Sequence, residues 1–244
     1  MNPSPAEAVR TARVLLWGDS LTEGRPGVAF ADFLAESNPH VRFENNGRGG
    51  DTVSSLLTRL LEVPAPPENE KADLAVLWIG VNDLFAEVLP GYALWKTAWG
   101  QPPSRDIDAF IDIFKSILER LTTHAHRILV LPPLFVGEDP RTEMNQRIRE
   151  WGDRISVEIS GLGNCRFVDI RPLMPLTPTK QSRFLPVNPW AKIAESVKNL
   201  APADYDEASI RRGLTWTFDG IHLNSNGART VSRILTNIFP EEGL

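Results

Sequence analysis

The sequence predicts an α/β protein built on a parallel sheet, and two observations carry that expectation. Short apolar runs, Val14–Trp17 and Leu74–Ile79 above all, alternate with amphipathic segments of helical period. Turn-forming stretches close them, as at Gly18-Asp19, Asn45–Gly50, Gly80–Asp83 and Pro132-Pro133. Five such alternations give a parallel sheet covered on both faces through right-handed crossovers. At 244 residues the chain can bury a full core, and one domain over residues 1–244 is expected.

The elements follow in order. Val14–Trp17 suits a strand buried on both faces. Phe30, Phe33 and Leu34 mark one face of a helix over Ala29–Glu36, and Val41–Glu44 alternates as a half-exposed second strand. After the glycine-rich turn Asn45–Thr52, residues Val53, Leu56, Leu57, Leu60 and Leu61 define a helix that Asp51 or Thr52 can cap. Pro64–Pro67 breaks it. Leu74–Ile79, the most apolar run, is the expected central strand. Glu87–Arg105 reads as a loop holding Tyr92, Trp95 and Trp99 among glycines and prolines. Ile107, Phe110, Ile111, Phe114, Ile117, Leu118 and Leu121 then mark a long amphipathic helix. Arg127–Leu131 is the fourth strand, Thr142–Ile159 a helix and Arg166–Ile170 the fifth strand.

One segment interrupts the alternation. Residues 172–212 carry six prolines, yet Leu173, Met174, Phe184, Leu185 and Trp190 make the stretch too apolar for simple disorder. A lid or wall packed on the body is expected there, with a short helix over Trp190–Leu200. A final helix over Ala228–Phe239 closes the chain.

Composition narrows the function classes. The hydrophobic fraction of 42% and charged fraction of 23% are ordinary for a soluble globular protein. A net charge of −5, with no basic run, argues against a nucleic-acid partner. The single cysteine, Cys165, rules out an internal disulfide framework and is expected to be buried and inert. The first residues show no basic start followed by a long apolar run, and Val14–Trp17 is far too short to cross a membrane. A cytoplasmic location without integral membrane contact is therefore expected. Nothing in the sequence sets the oligomeric state.

Ser20 follows the first strand, at the edge where open α/β sheets bind ligands. Its hydroxyl is a poor nucleophile unless a base takes its proton, a task suited to histidine with its unperturbed pKa of ~6.5. The histidine in turn needs a carboxylate to fix its tautomer. Asp219-Gly220-Ile221-His222 supplies that pair three residues apart, whereas His40, His124 and His126 read as surface or boundary residues. The oxyanion formed on attack needs hydrogen-bond donors. Backbone N–H groups at Gly49-Gly50 and the side-chain amide of Asn82 meet that need. Any one of these stretches alone reads equally well as a turn or a helix cap. Asp19, Asp83, Asp219 and His222 could also be read as metal ligands of a phosphoesterase, which would leave the glycines and Asn82 without a role.

Taken together, the four stretches resemble the blocks of the SGNH, or GDSL, hydrolase superfamily, in order from Gly18 to His222. Gly18-Asp19-Ser20-Leu21 matches the nucleophile block, and Asn46–Thr52 is similar to the glycine block. Gly80-Val81-Asn82-Asp83 and Asp219-Gly220-Ile221-His222 match the remaining two. The resemblance implies a flavodoxin-like three-layer α/β/α fold with five parallel strands in the order 2-1-3-4-5. It implies a metal-free, cofactor-free serine esterase acting on a small-molecule ester. Ser20 is then the nucleophile, His222 the base and Asp219 its orienting acid. Ser20 N–H, Gly50 N–H and Asn82 Nδ2 are the oxyanion donors, with Gly49 as neighbour to Gly50. Leu223 stands where the family often has proline. Trp95, Trp99, Phe184 and Trp190 are candidate substrate contacts, for an apolar acyl pocket or for stacking on a sugar ring. A small acyl or O-acetyl ester is the expected substrate. An acyltransferase, a lysophospholipase or a thioesterase would use the same catalytic residues, and a binding module with a degenerate site is the non-enzymatic alternative.

Overall fold

A computed structural model describes residues 11–89, 91–176 and 201–244. Five parallel strands form one sheet: β1 (Ala12–Gly18), β2 (Val41–Gly47), β3 (Ala72–Trp78), β4 (Ala125–Leu131) and β5 (Cys165–Phe167). Their order is β2-β1-β3-β4-β5, the order expected from the resemblance.

Period-two alternation within fully apolar strands creates the two faces. Leu15 and Trp17 of β1, with Ala75 and Leu77 of β3, pack against α3 (Val53–Glu62), α6 (Ile107–Thr122) and α7 (Glu143–Ile159). Val14 and Leu16, with Leu74, Val76 and Trp78, pack against α2 (Phe30–Ser37) and α9 (Ser225–Ile238). That is why these runs lack any polar alternation. Burying one ring such as Phe110 of α6, fully enclosed, contributes about 2–3 kcal/mol.

Three helices were not expected from the sequence as they stand. α1 (Ser20–Glu23) is a single turn that begins on Ser20 itself, α4 (Val81–Val88) runs from the turn read at Gly80–Asp83 to the start of the stretch read as loop, and α5 (Tyr92–Ala98) lies within that stretch. Residues 202–212 of the expected insertion form α8 (Pro202–Arg212), in which Tyr205 and Ser209 are buried. Residues 177–200, including Phe184, Trp190 and the short helix expected there, lie outside the described residues. Among the described residues no helix is long and apolar enough to cross a membrane. Cys165 is half-buried, and burial pushes its thiol up to about 11, so it stays a thiol at neutral pH.

The topology brings the carboxyl ends of β1, β2 and β3 side by side, at the point where the chain's crossovers change direction along the sheet. Gly18 makes that junction possible. A Cβ there would lie 2.1 Å from the Trp78 carbonyl oxygen and 2.3 Å from Thr22 Oγ1, so only glycine lets β1 and β3 close on one another before Ser20.

Candidate active site

Asp19 caps α1, its carboxylate accepting the Leu21 N–H at 3.0 Å, and this places Ser20 as the first helical residue at the sheet's edge. The Ser20 hydroxyl lies 3.0 Å from His222 Nε2. His222 Nδ1 lies 2.8 Å from Asp219 Oδ2. A carboxylate can only accept, so Nδ1 carries the proton and Nε2 is left to accept from Ser20. All three side chains are buried in the protein body.

The loop that carries Asp219 and His222 is rigidly built. Asp219 Oδ1 accepts the N–H groups of Ile221 (2.9 Å) and His222 (2.8 Å), folding the carboxylate back onto its own loop. Thr217 and Leu223 bridge the two sides, and Phe218 stacks on the imidazole with ring centroids 6.0 Å apart. A second clamp comes from the turn after β4. The buried carboxylate of Glu138 accepts from Thr215 N, Trp216 N, Thr217 N and Thr217 Oγ1 at 2.7–2.9 Å. Gly137 N–H donates to the Gly220 carbonyl at 2.7 Å. Glu138 holds a φ of 55°, the one non-glycine residue at positive φ among the described residues. Such a backbone costs about 1–3 kcal/mol and persists where its surroundings over-determine it, here by the four donors.

Asn82 lies near the start of α4. Its Nδ2 donates to the Asp51 carbonyl at 3.0 Å and its Oδ1 accepts the Tyr92 hydroxyl at 2.8 Å, which fixes the amide's orientation. Tyr92 is buried, and that burial holds its phenol protonated well above the usual range. Gly49 and Gly50 follow β2, Gly50 with φ 76°. The Gly49 N–H is committed to Glu23 Oε2 at 2.6 Å.

A cavity of about 540 Å³ opens over Ser20 and His222. Gly50, Asn82, Trp95 and Trp99 line it together with them, so every expected site residue within the described segments meets this cavity except Asp219, which stands behind His222. Trp95 and Trp99 neighbour one another, ring centroids 5.9 Å apart, and Trp99 is 60% exposed. Glu23, Arg25, Lys96 and Gln101 add polar groups to the wall. These four were not anticipated, since the end of α1, α5 and the segments after each carry no motif that announces a cavity.

The carboxylates once readable as a ligand set are each committed to backbone N–H groups. Asp83 accepts from Val53 N (3.0 Å) and Ser104 N (2.7 Å), and so ties α3 to the segment before α6. Among the described residues no cluster of three or more His, Cys, Asp or Glu side chains is placed to hold a metal ion. Burial pushes Asp83 up to about 6 and Asp19 up to about 7. For Asp19 the sign follows from linkage. A folded pKa above the unfolded value gives stability that is present at low pH and lost as pH rises through about 7. Asparagine caps as well as aspartate but carries no charge. The melting temperature of Asp19→Asn relative to the parent is therefore expected to rise between pH 5 and pH 8. A difference independent of pH would contradict the cause given.

Compared with models of known families, the chain matches the GDSL-like lipase/acylhydrolase family over residues 16–230. The chain belongs to that family. As a GDSL-like acylhydrolase it is a carboxylic ester hydrolase. No curated protein matches it. Among solved structures it is similar to the acetylxylan esterase Axe2 of Geobacillus stearothermophilus, with 18% identity and a TM-score of 0.61 over 96% of this chain and 94% of that one. A variant of Axe2, described as an acetyl-xylooligosaccharide esterase, aligns over 96% of this chain and 94% of that one, with 17% identity and a TM-score of 0.60. LAE5, an alpha/beta hydrolase enzyme from the metagenome of Lake Arreo, Spain, gives 17% identity and a TM-score of 0.57 over 93% and 94% of the two chains. At these identities the likeness is one of fold.

Proposed function

We propose that this GDSL-like acylhydrolase cleaves small-acyl esters, O-acetyl groups on carbohydrate foremost, through an acyl-enzyme on Ser20. The observation that carries the reading is the unbroken Ser20–His222–Asp219 chain of hydrogen bonds at the floor of a cavity. In the first step Ser20 Oγ bonds to the ester carbonyl carbon as its proton passes to His222 Nε2. The tetrahedral oxyanion is met by the N–H groups of Ser20 and Gly50 and by Asn82 Nδ2. Gly50 suits this role better than Gly49, whose N–H is already spent on Glu23. Asn82 suits it because one of its two amide hydrogens goes to Asp51 and the other remains for the cavity. The intermediate collapses, the carbon–oxygen bond to the alcohol breaks, and His222 protonates the leaving oxygen. Water then adds to the acyl carbon, gives its proton to His222, and the acid leaves as Ser20 regains its hydrogen. Asp219 stabilises the imidazolium in both halves without taking the proton.

The wall of the cavity supports a carbohydrate on the alcohol side. About 540 Å³ is far more than an acetyl group needs, so most of it is left for the leaving group. A long acyl chain would call for a continuous apolar tunnel. Here the Trp95–Trp99 pair shares the wall with the apolar Val81, Phe85 and Ile221 and with the polar Glu23, Arg25 and Gln101, a mixture that suits a ring with an apolar face and a hydroxylated rim. The acetylated xylan substrate in the description of Axe2 is consistent with this lining.

Four measurements test the proposal. A fluorophosphonate probe is expected to label Ser20, located by peptide mass spectrometry, and absence of label on an active preparation would defeat the assignment. Among aryl esters of increasing acyl length, the acetyl ester is expected to be turned over best, and preference for octanoyl or longer would overturn the small-acyl reading. Partition between water and added sugars separates hydrolysis from acyl transfer. Trp99→Ala is expected to raise KM for an acetylated xylooligosaccharide several-fold more than for p-nitrophenyl acetate. Equal effects on both would remove the stacking role.

A further inference from the structure

Lys96 is an unusual residue to find in this wall. It is 1% exposed, and its ammonium donates to the Gly50 carbonyl and to Gln101 Oε1. The amide of Gln101 then donates through Nε2 to the Gly49 carbonyl at 3.0 Å. An ammonium has donors only, so the amide's orientation is fixed: oxygen toward Lys96, nitrogen toward Gly49. Two consecutive carbonyls of the glycine loop are thus gripped from α5 and the segment after it.

The consequence lies in the peptide between Gly49 and Gly50. A trans peptide is planar, and its C=O and N–H point in opposite directions. A donor on the Gly49 carbonyl therefore sets the direction of the Gly50 N–H and polarises it. Flanked by two residues without Cβ, this peptide has little local resistance to rotation. Gly50 also sits at φ 76°, where a Cβ would meet Lys96 Nζ at 2.7 Å and Gln101 Oε1 at 2.8 Å. The same tight contact that requires glycine leaves the loop in need of an external hold.

We infer that Lys96 and Gln101 are positioning residues that hold the Gly49–Gly50 peptide so that the Gly50 N–H faces the carbonyl oxygen attacked by Ser20. The inference rests on the esterase reading of this cavity. Burial pulls Lys96 down to about 8, against the pull of Asp51, Asp19 and Asp83, so it remains charged at neutral pH and keeps its grip as a donor. Asp51 itself is occupied by Arg59 and Ser55, which leaves the ammonium to the Gly50 carbonyl and Gln101 Oε1.

A group that aims an oxyanion donor acts in the transition state and leaves substrate binding nearly untouched. Gln101→Ala is expected to lower kcat for p-nitrophenyl acetate about 10- to 100-fold with KM within about twofold, since outright loss of one such donor costs about 10²–10³. The same variant is expected to weaken a phenylboronic acid, which forms a tetrahedral adduct on serine, by a similar factor. Lys96→Met is expected to behave alike. Gln101→Glu, nearly isosteric, keeps the contact with Lys96 but sets an acceptor against the Gly49 carbonyl. It is expected to lose kcat while melting near the parent temperature, which guards against a folding artefact in the alanine variant. Gln101 variants with unchanged kcat, a loss confined to KM, or a kcat loss without weaker boronate binding would overturn the inference. A parent protein labelled on Ser20 and active, beside an equally active Gln101→Ala, would sink this inference alone. A parent that is neither labelled nor active would sink the esterase reading with it.

Discussion

Ser20→Ala is expected to lower kcat/KM for p-nitrophenyl acetate roughly 10⁵-fold while the protein stays folded. The size of the loss follows from the chemistry: without the hydroxyl no acyl-enzyme forms, and only water held in the same cavity can attack. The survival of the fold follows from the local structure. Among the described residues Ser20 Oγ has one partner, His222 Nε2, and the cap of α1 belongs to Asp19. Alanine is the best helix former, so the first position of α1 tolerates it. His222 keeps its bond to Asp219 and its stacking on Phe218. A thermal melt within a few degrees of the parent, beside the lost turnover, is the expected pair of results. Near-parental turnover in Ser20→Ala would remove Ser20 from the chemistry altogether.

The parts of this site that were legible in the sequence are those encoded by short-range pattern. Val14–Trp17 and Leu74–Ile79 are unbroken apolar runs because both of their faces are covered, and strands of that kind announce a parallel sheet. Gly18, Asn82 and the Asp219–His222 pair sit at strand ends or before the last helix, where spacing alone can suggest a role. What stayed hidden depends on contacts across the chain. Lys96 looks like a solvated lysine in Tyr92–Ala98, because the acceptor that draws it inward is the Gly50 carbonyl, 46 residues away, and the carbonyl of a peptide bond has no letter in the sequence. α5 itself was obscured by the glycines and prolines on either side of its aromatic residues. Glu138 reads as an acidic turn residue. Only the fold discloses that four donors from residues 215–217 converge on it. The letters proposed for catalysis were visible and the framework that aims them was not, since aiming is done largely by main chain.

Asp219→Asn is the second large effect expected, a loss of about 10⁴ in kcat/KM from a change of almost no volume. In the parent, Oδ1 is occupied by the Ile221 and His222 N–H groups and Oδ2 by the imidazole N–H. An asparagine has one oxygen and one NH₂ to divide between those places. The two backbone donors require the oxygen, so the NH₂ falls opposite His222 Nδ1. A donor in that place demands that Nδ1 accept, which moves the ring proton to Nε2. The nitrogen facing Ser20 then donates where it must accept, and the base is disabled although every heavy atom is in place. Turning the amide over restores the tautomer only by setting NH₂ against two N–H donors. That leaves buried groups unpaired, at about 1–3 kcal/mol each. Asp219→Ala imposes neither tautomer. Asp219→Asn is therefore expected to be no more active than Asp219→Ala despite its closer shape, with the Ser20–His222 separation unchanged. If the asparagine variant instead kept a tenth of parental kcat/KM, orientation of the imidazole by Asp219 would not be what the loop provides.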